Sequence, residues 1–375
     1  MYYFPKGNLH IRDLKDKVEK YKQLTSNEFD LRTKVQIYED LRKKNNKVSL
    51  VLSPKSLIDK NSNLDFLILS GISNIKTISC NENGYYQIYQ SDRYGFNNPD
   101  EEWKNEKVKY LLLGDSFVQG SCVNRPNDIA SSLRNLTKKT SINLGYSGNG
   151  PLFQLATLRE YMPKNVENII WFYYEENDLI DLSKEMKNSI LLKYLNNNKF
   201  SQNLKENQNK IDKYLASNIN KNLDTINSEE EYWKKYYSKK KVFLRFIRLD
   251  NFKNFIKFLK KNKTVDNKDD MIKNLEKILL SAKETAGLNN SNLYFVYLSG
   301  YHRYSSFLSN QYEFMNNYPK IISMVNNLGI PVIDLHADFL IREKYPLEYF
   351  PFSKYGHYNI KGYKKISEII YELIK

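Results

Sequence analysis

Five short apolar runs punctuate the last two-thirds of the chain, at 108–113, 141–144, 168–174, 293–298 and 330–334. Between them, at 129–138, 152–161 and 315–328, apolar residues recur every three to four positions. The first pattern predicts buried strands and the second amphipathic helices. Strands that alternate with helices predict a parallel sheet covered on both faces: an α/β, flavodoxin-like three-layer architecture. Right-handed crossovers then bring the loops after the strands to one carboxyl edge, where ligands bind in open sheets.

The first hundred residues are patterned differently. Charged helices are predicted at 13–22 and 33–45. Short strands are predicted at 48–52 (VSLVL) and 64–69 (LDFLIL). The stretch 80–99 is rich in Asn, Gly, Tyr and Ser, and reads as loops with a hairpin. We therefore divide the chain into an N-terminal mixed elaboration, 1–105, and a main domain, 106–375. The main domain carries a Lys- and Asn-rich helical insertion at 180–286.

Within that insertion, residues 234–263 hold twelve basic side chains against one acid, Asp250. Phe243, Phe246, Ile247, Phe252, Phe255, Ile256 and Leu259 recur there at helical spacing. Two readings stay open. One is a lid helix packing its aromatic stripe on the main domain. The other is contact with an anionic membrane surface or an acidic glycan.

The formal charge of +15 favours an anionic partner. No Cys/His finger, RNP-like strand or basic zipper is present, so nucleic acid is not expected. The two cysteines, Cys80 and Cys122, lack metal-type spacing. Reduced thiols are the simpler reading, and a single bridge requires an oxidising compartment. Residues 1–10 lack the apolar stretch of a signal peptide, and no run of eighteen apolar residues occurs. The chain as written reads as cytoplasmic or peripheral, and as periplasmic if a leader precedes it. No cofactor and no metal is expected.

The candidate chemistry lies at the predicted carboxyl edge. The run 108–113 ends in Gly114-Asp115-Ser116, which puts the Ser116 hydroxyl and nearby backbone N–H groups where a nucleophile and its oxyanion donors are needed. Gly145 closes the second run and offers a backbone N–H. Asn177 follows the third and offers a side-chain amide. His357, in Gly-His-Tyr-Asn, is placed to act as a base near neutral pH. The remaining histidines are His10, His302 and His336.

Taken in order, these pieces resemble the SGNH/GDSL hydrolase family, over about 108–375 without the insertion. The branch associated with bacterial surface polysaccharides is similar in also carrying a loop like 91–99 before the nucleophile strand. The resemblance implies an acyl-enzyme on Ser116, with oxyanion donors from Ser116, Gly145 and Asn177 and with His357 as base. It implies an esterase, deacylase or acyltransferase acting on O-acyl groups, chiefly O-acetyl, of a carbohydrate. Tyr146, Tyr173, Tyr174 and Tyr301 are candidates for sugar stacking. The chain departs from the family two and three residues before His357, where Tyr355 and Lys354 replace the usual Asp. Three arrangements would account for this. Glu348, Asp334 or Asp338 supplies the acid; a backbone carbonyl orients the ring; or the fold is kept for binding alone.

Overall fold

The computed structural model describes residues 7–54, 66–236, 268–305 and 313–374. It opens with helices α1 (Gly7–Thr25) and α2 (Lys34–Lys44). The start of α2 is set by Thr33, whose hydroxyl accepts the Gln36 N–H while the Gln36 side chain accepts the Thr33 N–H. A small sheet follows. β1 (Val48–Leu50) pairs in parallel with β2 (Lys76–Ile78), which pairs antiparallel with β3 (Ile88–Gln90). Of this antiparallel pair only β3 lies within the loop-rich stretch 80–99, where a hairpin is expected; its partner β2 precedes that stretch.

The run 64–69 does not pair as a strand over its described part. Residues 67–69 are buried without a ladder. Side chains satisfy this backbone instead: Leu67 N–H donates to Gln202 Oε1, and Leu69 O accepts from Asn149 Nδ2. The apolar pattern reported burial correctly and pairing incorrectly, because Gln202 comes from the insertion.

All five expected strands of the main domain form: β4 (Val108–Leu113), β5 (Ser141–Asn143), β6 (Val166–Tyr174), β7 (Asn292–Leu298) and β8 (Val332–Asp334). They pair in parallel in the order β5-β4-β6-β7-β8. Numbered within the domain this is 2-1-3-4-5, the flavodoxin-like order, whose switch point lies between β4 and β6. It is the architecture that the SGNH/GDSL resemblance implies.

Consecutive side chains of these strands enter opposite cores. Leu111, Leu113, Trp171, Tyr173 and Phe295 face one layer, and Leu112, Phe172, Tyr174, Val296 and Leu298 the other. Both faces are dry, so the strands read as unbroken apolar runs rather than as alternations.

The helices of the domain begin with α3 (Ser116–Gln119), α4 (Ile129–Thr137) and α5 (Pro151–Tyr161). The insertion supplies α6 (Asp178–Glu185), α7 (Ser189–Asn196), α8 (Gln208–Tyr236) and α9 (Lys268–Leu288). The chain ends with α10 (Tyr301–Ser305), α11 (Glu313–Asn327) and α12 (Ile360–Leu373). Helices α4 and α12 cover one face of the sheet, and α5, α9 and α11 the other.

Helix α8 also reaches the small sheet, where Ile219 packs with Ile37, Tyr38 and Val48. Asp212 on the same helix accepts both the N–H and the hydroxyl of Ser73. The insertion thus ties the N-terminal elaboration to the main domain. Apart from its first residues on α8, the basic stretch 234–263 lies outside the described residues. Among the described residues no helix is long and apolar enough to cross a membrane.

Candidate active site

Strand β4 delivers Gly114, Asp115 and Ser116 to the carboxyl edge of the sheet. The Asp115 carboxylate caps the single turn α3, accepting the Phe117 N–H at 2.9 Å. As the first residue of that turn, Ser116 has an N–H the helix itself does not use. Gly120 closes the turn in the left-handed region at φ 76°. Only a glycine enters that region without strain. Ser116 keeps 9% of its surface exposed, so the residue is largely buried at the sheet edge.

His357 approaches from the loop before α12. Its Nε2 lies 2.8 Å from Ser116 Oγ. Its Nδ1 lies 3.1 Å from Oε1 of Glu82, and its backbone N–H donates to Oε2 of the same carboxylate at 2.7 Å. The ring rests against Phe117, with centroids 4.7 Å apart. A Cβ on Gly356 would come within 2.5 Å of Glu82 Oε2, so a side chain there would push the carboxylate away from its place beside His357.

Hydroxyl, imidazole and carboxylate therefore form one chain, and its acid is not among those expected. Glu348 pairs with Lys361. Asp334 accepts the Tyr318 hydroxyl and the His336 N–H, and Asp338 contacts the Asp334 N–H and Arg342. Each sits on the β8 side or beside α12, engaged elsewhere. Nor does a backbone carbonyl orient the ring. Glu82 is not marked by sequence proximity, because it lies 275 positions from His357, whereas Glu348, Asp334 and Asp338 all fall within the last strand and the segment leading from it to His357. A usable signal was its place two residues after Cys80, had the cysteines been paired.

They are paired: Cys80 and Cys122 form a disulfide, which corrects the expectation of reduced thiols. The bridge joins the Glu82 loop to the segment just after α3. Hydrogen bonds run alongside it, from Asn83 Nδ2 to Cys122 O and from Cys122 N–H to Gln87 Oε1.

The charges support one another. Burial alone would lower the pKa of His357, but the Glu82 charge, its hydrogen bond and Asp115 outweigh burial, so the imidazole holds its proton above the ordinary value of 6.5. Burial alone would raise the pKa of Glu82. The His357 charge and hydrogen bond, with Lys17, prevail, and its carboxyl stays below the ordinary 4.5. Asp115 is pushed up, chiefly by burial.

Asn177 stands at the N-cap position of α6 yet makes no side-chain cap bond. Its amide turns instead towards the nucleophile turn, with Nδ2 3.3 Å from Asp115 Oδ2. Gly145 departs from expectation. Its N–H donates to Asn143 Oδ1 at 2.8 Å, so it is engaged within the protein. The absent side chain matters here for packing, because a Cβ would lie 2.6 Å from the Gln119 N and from Val118 Cβ. Glycine lets β5 press against the back of α3.

Of the other histidines, His10 lies on α1. His302 pairs through Nδ1 with Glu176 at 2.8 Å and stacks near Tyr355. His336 meets the Tyr304 hydroxyl, and burial lowers its pKa to about 4. Tyr146, Tyr173 and Tyr174 are buried in the cores and present no face to a sugar. Only Tyr301 of the four keeps partial exposure.

No protein-family model matches the chain, and no curated protein matches it. Among solved structures it is similar to an acetyl xylan esterase, at 12% identity over 72% of this chain and 100% of the other, with a TM-score of 0.39. It is also similar to a member of the lipolytic protein G-D-S-L family from Veillonella parvula, at 11% identity over 71% and 97%, with a TM-score of 0.36. These overlaps are too loose to give any residue its role.

Proposed function

We propose that this chain is a serine esterase or acyltransferase that removes or transfers small O-acyl groups, chiefly O-acetyl, on a carbohydrate. The observation that carries the reading is the chain from Ser116 Oγ to His357 Nε2 at 2.8 Å and from His357 Nδ1 to Glu82 Oε1 at 3.1 Å. A hydroxyl, an imidazole and a carboxylate in this order form a nucleophile, its base and the group that orients the base.

In this reading Ser116 Oγ attacks the ester carbonyl as His357 Nε2 takes its proton. Glu82 holds the tautomer with the proton on Nδ1 and balances the imidazolium. The oxyanion is met by the Ser116 N–H and the Asn177 amide; Gly145 would join only by releasing Asn143. His357 returns the proton to the departing sugar oxygen as the C–O bond breaks. Water or a second hydroxyl, deprotonated by the same nitrogen, then takes the acyl group from Ser116. The products are a carboxylate or a new ester.

The charge of +15 and the basic stretch 234–263 suit an acidic glycan or an anionic surface. The absence of an acid just before His357 favoured a binder without catalysis, and Glu82 removes that support.

A fluorophosphonate probe tests the reading. We expect labelling confined to Ser116 and strongly slowed in His357→Ala. A Ser116→Ala protein that releases acetate from an aryl ester at the wild-type rate would sink the assignment.

A further inference from the structure

Glu82 and His357 lie on separate loops, and one face of α1 touches both. Lys17 Nζ donates to the carbonyl of Tyr355 at 2.9 Å, two residues before His357. Lys20 Nζ donates to the carbonyl of Phe352 at 3.2 Å, and Asp16 pairs with Lys354 at 3.1 Å. The Tyr21 ring covers Gly84, where a Cβ would fall within 2.5 Å of it, and stands edge-on to Phe352 at 6.2 Å. Positions 16, 17, 20 and 21 share a face because three and four residues close a helical turn.

The loop held in this way is strained, although Ser353 N–H donates to Phe350 O and Lys354 N–H to Pro351 O within it. Phe352 and Ser353 both take positive φ, 55° and 58°, without being glycine. Such backbone costs of order 1–3 kcal/mol per residue and persists only where neighbours determine it. The α1 contacts fall on Phe352 and on the two residues after Ser353, Lys354 and Tyr355. The other loop is anchored from the same side, since Asp30 N–H donates to Gly84 O and Asn81 Nδ2 donates to Asp30 O.

We propose that α1 is a clasp holding the Glu82 and His357 loops in register, and that Lys17 is a positioning residue for the reaction at Ser116. Lys17 acts through the Tyr355 carbonyl and through its charge on the Glu82–His357 pair. The proposal rests on the reading of Ser116 as nucleophile.

Its charge gives Lys17 a signature that bracing alone lacks. The charged groups acting on His357 are Glu82, Asp115 and Lys17; the two acids favour the imidazolium and Lys17 opposes it. Without Lys17 the imidazole keeps its proton to higher pH. Less of it is then a base at neutrality, and the acidic limb of kcat/KM moves up.

The test compares Lys17→Gln, Lys17→Met and Lys17→Arg in the full chain, with an aryl acetate as substrate. We expect Lys17→Met to lose about ten- to a hundredfold in kcat/KM at neutral pH. Its acidic limb should move to higher pH. Lys17→Gln keeps a donor for the carbonyl and should lose less, with the limb still displaced; Lys17→Arg should restore both. An unmoved limb in Lys17→Gln and Lys17→Met overturns the proposal. So does an Arg variant as impaired as the Met one. NMR titration of the His357 ring in wild type and Lys17→Gln reads the same displacement without turnover. An inactive wild type would thus reject the esterase reading, whereas an unshifted His357 would reject the role of Lys17.

Discussion

Glu82 Oε1 lies 3.1 Å from His357 Nδ1 although 275 positions separate the two residues. Both carboxylate oxygens are engaged by this one residue, Oε1 by the ring and Oε2 by the backbone N–H. A carboxylate so placed fixes the position of the ring as well as its tautomer. The acid comes from the N-terminal elaboration, so that elaboration completes the site at the carboxyl edge of the main sheet.

Replacing Glu82 with Gln should lower kcat by about 10²- to 10⁴-fold, the range expected when a hydroxyl–imidazole pair loses its orienting acid. The pH profile should move as well. Glu82 holds the imidazole proton on, so in Glu82→Gln the acidic limb of kcat/KM should fall to lower pH. A profile with an undisplaced limb counts against Glu82 as the partner of the base.

The same pair should leave a mark on stability. The lowered carboxyl of Glu82 adds stability above its ordinary 4.5, which is lost as pH falls through the folded value. The raised imidazole adds stability below its ordinary 6.5, which is lost as pH rises through its folded value. Wild type should therefore exceed Glu82→Gln in Tm most between those ordinary values. A Tm difference that is constant from pH 4 to pH 9 would speak against this linkage.

Replacing Cys80 and Cys122 together with Ala should cost about 2–4 kcal/mol, because the bridge closes a loop of sequence separation 42. The hydrogen bonds from Asn83 and to Gln87 should keep the Glu82 loop docked. We expect urea melts to shift well before labelling of Ser116 slows. A variant that melts like wild type would show that the bridge adds nothing.

The parts of the site that follow strands were legible in the sequence. Ser116 and Asn177 lie where strand periodicity puts them, since a parallel sheet sends every strand end to one edge, and His357 lies where the start of the last helix puts it. Glu82 was not legible. It sits in an Asn- and Gly-rich loop with no period, and long-range contacts place it: the disulfide to Cys122, the Asp30 carbonyl and the face of α1. Gly145 shows the converse. It lies where expected, and its N–H meets Asn143 Oδ1, a local partner that spacing does not reveal. The run 64–69 failed for a similar reason, since Gln202 took the place of a neighbouring strand.

Asn177→Ala should lower kcat by about 10²- to 10³-fold with little change in KM, the cost of one oxyanion donor. Its side chain makes no cap bond to α6 and only one long hydrogen bond, to Asp115 Oδ2 at 3.3 Å, so the substitution should lower stability by no more than about 1–2 kcal/mol. The two readouts together separate a donor from a turn former. A large Tm loss with normal kcat would assign Asn177 to the fold.

The segment before β4 should govern stability rather than chemistry. Asp92 Oδ1 accepts the N–H groups of Tyr94 and Phe96, and Oδ2 accepts Asn98 Nδ2 and Trp103 Nε1. Asn98 continues the network to Asn143 on β5, and Asn143 reaches Val118 O on α3. Burial pushes the Asp92 carboxyl up to about 6, outweighing four donors that favour its ionised form. Asn at this position would turn an NH₂ group towards two of those donors, so Asp92→Asn should be no milder than Asp92→Ala. Each leaves buried donors without an acceptor, at about 1–3 kcal/mol for each group stranded. Because the raised carboxyl binds protons more tightly folded than unfolded, its contribution should weaken as pH climbs from 3.8 towards 6. Urea melts of wild type and Asp92→Asn across that interval check the sign: the gap between them should narrow as pH rises, and a widening gap would refute it.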